Sequence, residues 1–266
     1  MITQPEEAKI ETLKKVSLQN ERPVSRRAII SIITGIVLLL ILVHIGFSKT
    51  YIRHFPGFAD YVRPNGRKIH FTWVMHFHGM MMMGWVLMLL LQPILILKGK
   101  IKWHRRVGTL SYVLAPLVLL SMWLITRGRF LEFLGLQGYT AAVANLSLNV
   151  PNIVFFALFY FLAIYYKRQP HLHMRFMCST AFPLIGPGLA RIFTSYLEFD
   201  REYAASTVRI ITVLIAAAIT ISDSVRTKRI SPFALVLGLM LLHAILWELR
   251  YTPFGQSVWG VVAKMF

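Results

Sequence analysis

Cysteine and acidic residues are both scarce in this chain. One cysteine, Cys178, among 266 residues excludes an intrachain disulfide, a thiolate zinc site and an iron–sulfur cluster held by this polypeptide alone. Asp and Glu number 11 against 29 Lys and Arg, and the two acids closest to apolar stretches, Asp223 and Glu248, sit near their ends. A proton-coupled carrier built on an intramembrane carboxylate relay is therefore disfavoured. An Asp-rich prenyl-diphosphate motif, a phosphate-binding nucleotide loop and a Gly-x-Ser-x-Gly nucleophile elbow are missing as well.

Apolar sequence is what the chain has in abundance. Hydrophobic residues make up 56% and mean hydropathy is +0.59. Apolar stretches recur at about 29–47, 73–97, 107–126, 147–166, 176–197, 206–222 and 232–249. Each approaches the roughly 20 residues that a helix needs to cross a hydrocarbon layer about 30 Å thick. Helices close their backbone hydrogen bonds internally, and the alternating segments of a β-barrel are absent. The expected fold is all-α: one polytopic transmembrane bundle of about seven spans over 29–250, after a basic tail at 1–28 and before a short tail at 251–266.

The formal charge of +18 is unevenly placed. Lys14, Lys15, Arg22, Arg26 and Arg27 precede the first span, and Lys98, Lys100, Lys102, Arg105 and Arg106 crowd the second connection. Lys167, Arg168 and Arg175 mark the fourth connection, and Arg226, Lys228 and Arg229 the sixth. In a seven-span chain these fall on one side, which the positive-inside rule makes cytoplasmic, with the C-terminus outside. Lys49, Arg53, Arg63, Arg67 and Lys68 oppose that bias in the first outer loop. With the charge spent on membrane topology, nucleic acid is not an expected partner; the lipid bilayer is, together with other membrane subunits. Ile10, Leu13, Val16 and Leu18 among lysines fit either an amphipathic surface helix or a disordered tail. The span that follows is too long for a signal-peptide core, so it is expected to persist.

The two longest connections, about 48–72 and 127–146, face outward and contain FPGF, RPNG and LGLQG, all turn-forming. The fifth span is the most disturbed, with Pro183, Gly186, Pro187 and Gly188 just before Arg191. A broken helix beside an intramembrane arginine points to a functional site, and an arginine snorkelling to the surface is the plainer alternative.

Helical rise sorts the polar residues into two layers. The outer layer holds His44, His76, His78, Asn145, Asn149, Asn152, Arg191, His243 and Glu248; the inner holds His104, His171 and His173. On a helix, residues i and i+2 point about 200° apart, so at most one histidine of each HxH pair is expected to face inward, whereas an irregular segment could aim both; His78 lies deeper than His76. His54 and His70, in a loop, are expected to bond locally. Met80 to Met83 read first as adaptable packing, with Gly79 and Gly84 allowing close helix approach, and second as a Cu(I) site in which Met82 shares a face with His78.

His78, Gln92-Pro93, His104-Arg105 and Gly108 form a pattern. Over roughly 35 residues it resembles the core of transmembrane b-type cytochromes of the ascorbate-reducible and ferric-reductase-like families, and of small bacterial multi-pass membrane proteins with a similar HRxxG turn. The resemblance implies paired histidines holding haem b near each membrane face. His78 would pair with His243 or His44, and His104 with His171 or His173. Arg191 or Arg105 would neutralise a propionate. The implied function is an inner-membrane electron-transfer protein of the oxidoreductase class, whose donor and acceptor the pattern does not encode. Two other readings stand beside it. One is a non-haem metal enzyme or transporter using His44, His76 or His78, and His243 with Glu248. The other is a cofactor-free subunit of a larger membrane complex, whose histidines would be satisfied by local backbone.

Overall fold

The computed structural model describes residues 24–62 and 68–266. Lys14, Lys15, Arg22, Arg63, Arg67 and the Ile10–Leu18 pattern lie outside the described residues. Seven helical segments are long and apolar enough to cross a membrane, and the chain is a multi-pass helical membrane protein. Helix α1 spans Arg26–Ser48 and α2 Trp73–Leu97. A short α3, Ile101–Thr109, precedes α4 at Ser111–Gln137 and α5 at Tyr139–Tyr165. The fifth span is split into α6, Pro170–Ser179, and α7, Phe182–Tyr196. Then come α8, Arg201–Thr227, α9, Phe233–Glu248, and α10, Pro253–Ala263.

The spans close into a ring. Helix α1 packs on α2, α2 on α4, α4 on α5, α5 on α9, α9 on α8, α8 on α7, and α7 back on α1. Helix α6 packs on α5. Trp85, Val118, Leu146, Phe156 and Phe159 fill the interior, while Leu38, Ile41, Met80, Leu87 and Leu214 form part of the exposed apolar surface, as expected of a bundle whose outside is solvated by lipid. Below, the side carrying the 98–110 turn is termed the basic face.

Two expectations are corrected. Residues 127–146 are not a long loop: α4 continues to Gln137, and only Gly138, at φ +82°, separates it from α5. Arg127, Arg129 and Glu132 end the apolar run without ending the helix, because a helix needs closed backbone bonds and not apolar side chains. Residues 251–266, expected as a tail, hold α10, which packs on α5 with Trp259 and Ala263 buried. Thr252 caps it by accepting the Gly255 N–H at 3.1 Å.

The 48–72 connection remains a loop, with a two-residue antiparallel ladder pairing Tyr61 with Ile69. In it His70 pairs with Asp60 at 2.5 Å and His54 stacks on Tyr61 at 4.2 Å. Close helix approach occurs, but not at Gly79 or Gly84, where an added Cβ would make only ordinary contacts. It occurs between α1 and α7, where a Cβ on Gly46 would collide with the Gly188 carbonyl. Met81 and Met82 pack against the main core, and Met80 and Met83 are exposed, a distribution that suits packing.

Candidate functional site

The split in the fifth span organises the interior. The chain leaves helical continuity at Thr180–Ala181, just before Pro183, whose ring cannot supply the backbone donor that continuity needs. Thr180 is buried there and its Oγ1 accepts the Trp85 indole N–H at 3.0 Å, fixing the break against α2. On the basic side of the break α6 packs on α5; on the other side α7 belongs to α1 and α8.

Towards the face opposite the basic one, His78 Nδ1 lies 3.1 Å from Ser121 Oγ. That hydroxyl already donates to the Val118 carbonyl at 2.7 Å, so the imidazole must donate and its Nε2 is bare. Arg191 lies within electrostatic reach of His78, donates to the Pro187 carbonyl at 2.9 Å and covers the Phe47 ring at 3.9 Å. The residues named as partners for His78 do not join it. His44 sits on the exposed stripe of α1 with Leu38, Ile41 and Ile45. His243, 3% exposed, gives its Nε2–H to the Ser147 carbonyl at 3.1 Å and packs edge-on to Phe155. His76 meets Tyr51 Oη through Nδ1 at 2.6 Å inside an aromatic cluster with Phe58 and Phe71. Glu248 accepts from Ser206 at 2.9 Å. Among the described residues no three His, Cys, Asp or Glu side chains converge as a metal site, so His76, His78, His243 and Glu248 are not one constellation.

At the basic face, His173 Nδ1 donates to the Ala163 carbonyl at 2.8 Å, which again leaves Nε2 bare. His171 lies two residues earlier, on the other side of the helix, and its carbonyl accepts from Arg175 at 2.9 Å. His104 lies within electrostatic reach of His173. Burial pushes the His104 imidazole below its ordinary range, and the nearby charges of His173 and Arg105 act the same way against a hydrogen bond from the ring to the Gln92 backbone. The Gln92 side chain, assigned with its amide nitrogen toward His104, reaches Nδ1 at 2.5 Å and the His104 carbonyl at 3.1 Å, while its oxygen accepts the Gly108 N–H at 3.1 Å. Those two backbone groups are the pair that an uninterrupted α-helix joins directly. The amide thus braces α3 against α2, and the Gln92, His104 and Gly108 of the sequence pattern are one structural fastening.

Sequence reasoning named Asp223 and Arg175 without pairing them, and passed over Arg209. Asp223 and Arg175, each 6% exposed, form a two-point ion pair: Nε donates to Oδ2 at 2.8 Å and Nη2 to Oδ1 at 2.7 Å. Ser231 adds a bond of 2.6 Å and Arg226 one of 3.0 Å, so the carboxylate ties α6, α8 and the α8–α9 turn together. Arg209 is 7% exposed and lies inside the 206–222 apolar stretch, toward its outer end. Its signal was the one that singled out Arg191, a charge inside a span. No family model, no curated protein and no solved structure matches the chain.

Proposed function

We propose that this protein is an electron-transfer protein of the bacterial cytoplasmic membrane, N-terminus inside, that holds haem b through His173 near the basic face and His78 near the opposite one. What supports it is the tautomer that the hydrogen-bond partners assign to both rings. In each, Nδ1–H is held by a fixed acceptor and Nε2 is bare, which is the orientation that second-shell bonding imposes on a metal-binding imidazole. Arg105 and Arg191 supply nearby positive charge for propionates. A haem at either place supplies a one-electron couple; the chain supplies ligation, orientation and a surrounding of low dielectric.

The fit is to one strong axial ligand per site and not to two. His104, with the Gln92 amide nitrogen at its Nδ1, carries its proton on Nε2, and His243 has committed its Nε2 to Ser147. The test is a reduced-minus-oxidised spectrum of the full chain in detergent, before and after haemin addition. A haem difference band is expected, with His78→Ala and His173→Ala each removing about half of it. Absence of any band after reconstitution of folded protein overturns the reading.

A cofactor-free subunit of a membrane complex is the second reading, and the internal partners of His76 and His243 favour it. Under it, the same substitutions change yield or complex assembly without a spectral effect.

A further inference from the structure

Helices α5 and α8 both start at the face opposite the basic one, where Arg201 Nη2 donates to Asn145 Oδ1 at 2.7 Å and the guanidinium covers Phe133 at 4.3 Å. Eight residues on, roughly 12 Å deeper by helical rise, α8 carries Arg209. Among the described residues Arg209 has no carboxylate partner, no aromatic face and no acceptor for its buried Nε–H. Its neighbour across the α8–α9 packing is His243, within electrostatic reach and equally buried. Neither supplies negative charge.

A second orphan lies in the same seam. Asn145, 5% exposed, uses its Oδ1 for Arg201 and leaves Nδ2 sealed without an acceptor. Asn149 and Asn152 continue the polar column along α5, and Asn152 lies at the depth of Arg209. Two buried donors from different helices, one of them a full charge and roughly 12 Å deeper than the other by helical rise, lack acceptors along one seam. Carboxylates near that end have other partners: Glu202 pairs with Arg250 at 3.0 Å, Glu248 holds Ser206, Glu132 pairs with Arg129 at 2.6 Å, and Asp200 caps α8.

An uncompensated guanidinium inside a bundle is costly, and the missing component is an acceptor with negative charge. We infer that Arg209 anchors a binding site for a singly charged oxyanion, a phosphate or carboxylate group, in the seam between α5, α8 and α9. Arg201 stands at the mouth as the cation that draws the anion in. The planar fork of Arg209 matches two oxygens of such a group, which a lysine would not do. The oxyanion comes either from a lipid headgroup or from a free anion, and these leave different traces.

The test compares the full chain in detergent with Arg209→Met. Inorganic phosphate or acetate, at saturating concentration and constant ionic strength, is expected to raise the Tm of the unaltered protein by about 4 °C or more and that of the variant not at all. A lipid source instead shows as an anionic phospholipid retained in native mass spectra of the unaltered protein and lost from the variant. Equal behaviour of the two proteins in both measurements overturns the inference, as does an Arg209→Met protein more stable than the unaltered one in every buffer. If the variant does not fold, the unaltered protein decides alone: an oxyanion-dependent shift or a retained anionic lipid supports the site, and the absence of both refutes it.

Discussion

Helix α8 carries two buried charges, Arg209 and Asp223, with opposite circumstances. Asp223 is met by Arg175 through two bonds and by Ser231 and Arg226 through one each, so every oxygen is used and the group is structural. Arg209 is just as buried and is met by nothing of opposite sign among the described residues. The desolvation cost is of the same kind in both, so what differs is who supplies the counter-charge. A charge neutralised by the chain holds the fold; a charge left to an outside partner makes a site.

The sharpest way to break this contrast is Asp223→Ala, which turns Arg175 into a second unpaired buried guanidinium. A loss of about 3–5 kcal/mol is expected, read by thermal or denaturant unfolding in detergent. His243→Asp moves the other way and gives Arg209 a partner from within the chain. Its expected signature is loss of the whole oxyanion-dependent Tm shift, and a persisting shift would show that the anion is bound elsewhere. Removing both members of the lock, as Arg175→Met with Asp223→Leu, should leave stability within about 2 kcal/mol of the unaltered protein, since an apolar pair of similar volume often replaces a buried ion pair at little cost. Arg226→Ala should be the mildest, at about 0–1 kcal/mol, because that side chain is 55% exposed and its bond to Asp223 competes with water.

Hydropathy made the spans legible because a lipid-crossing helix must be long and apolar, and all seven stretches are helical. What hydropathy could not convey was where helices stop. Arg129 and Glu132 look like a loop by composition, yet they pair at 2.6 Å on a helix that continues to Gln137. Thr252-Pro253 is a helix-start signal, and reading 251–266 as a tail overlooks it. At the candidate site, depth was readable from rise, whereas direction was not. His44 and His78 lie in the same layer, but one faces outward on α1 and the other donates to Ser121 in the interior. Gln92, His104 and Gly108 were noticed as a pattern, and their direct contact depended on how α3 folds back on α2, which no spacing encodes.

The break at Thr180–Ala181 also bears on how the molecule comes apart. One span serves two neighbourhoods, with α6 fastened to α5 and to Asp223, and α7 seated on α1 through the Gly46–Gly188 contact. It works as a stitch within the ring, so force or heat applied to either group of helices is carried into the other across Thr180–Ala181, where Trp85 pins Thr180. A cut at that point would remove the covalent tie between the two neighbourhoods and leave them joined only through helix packing around the ring.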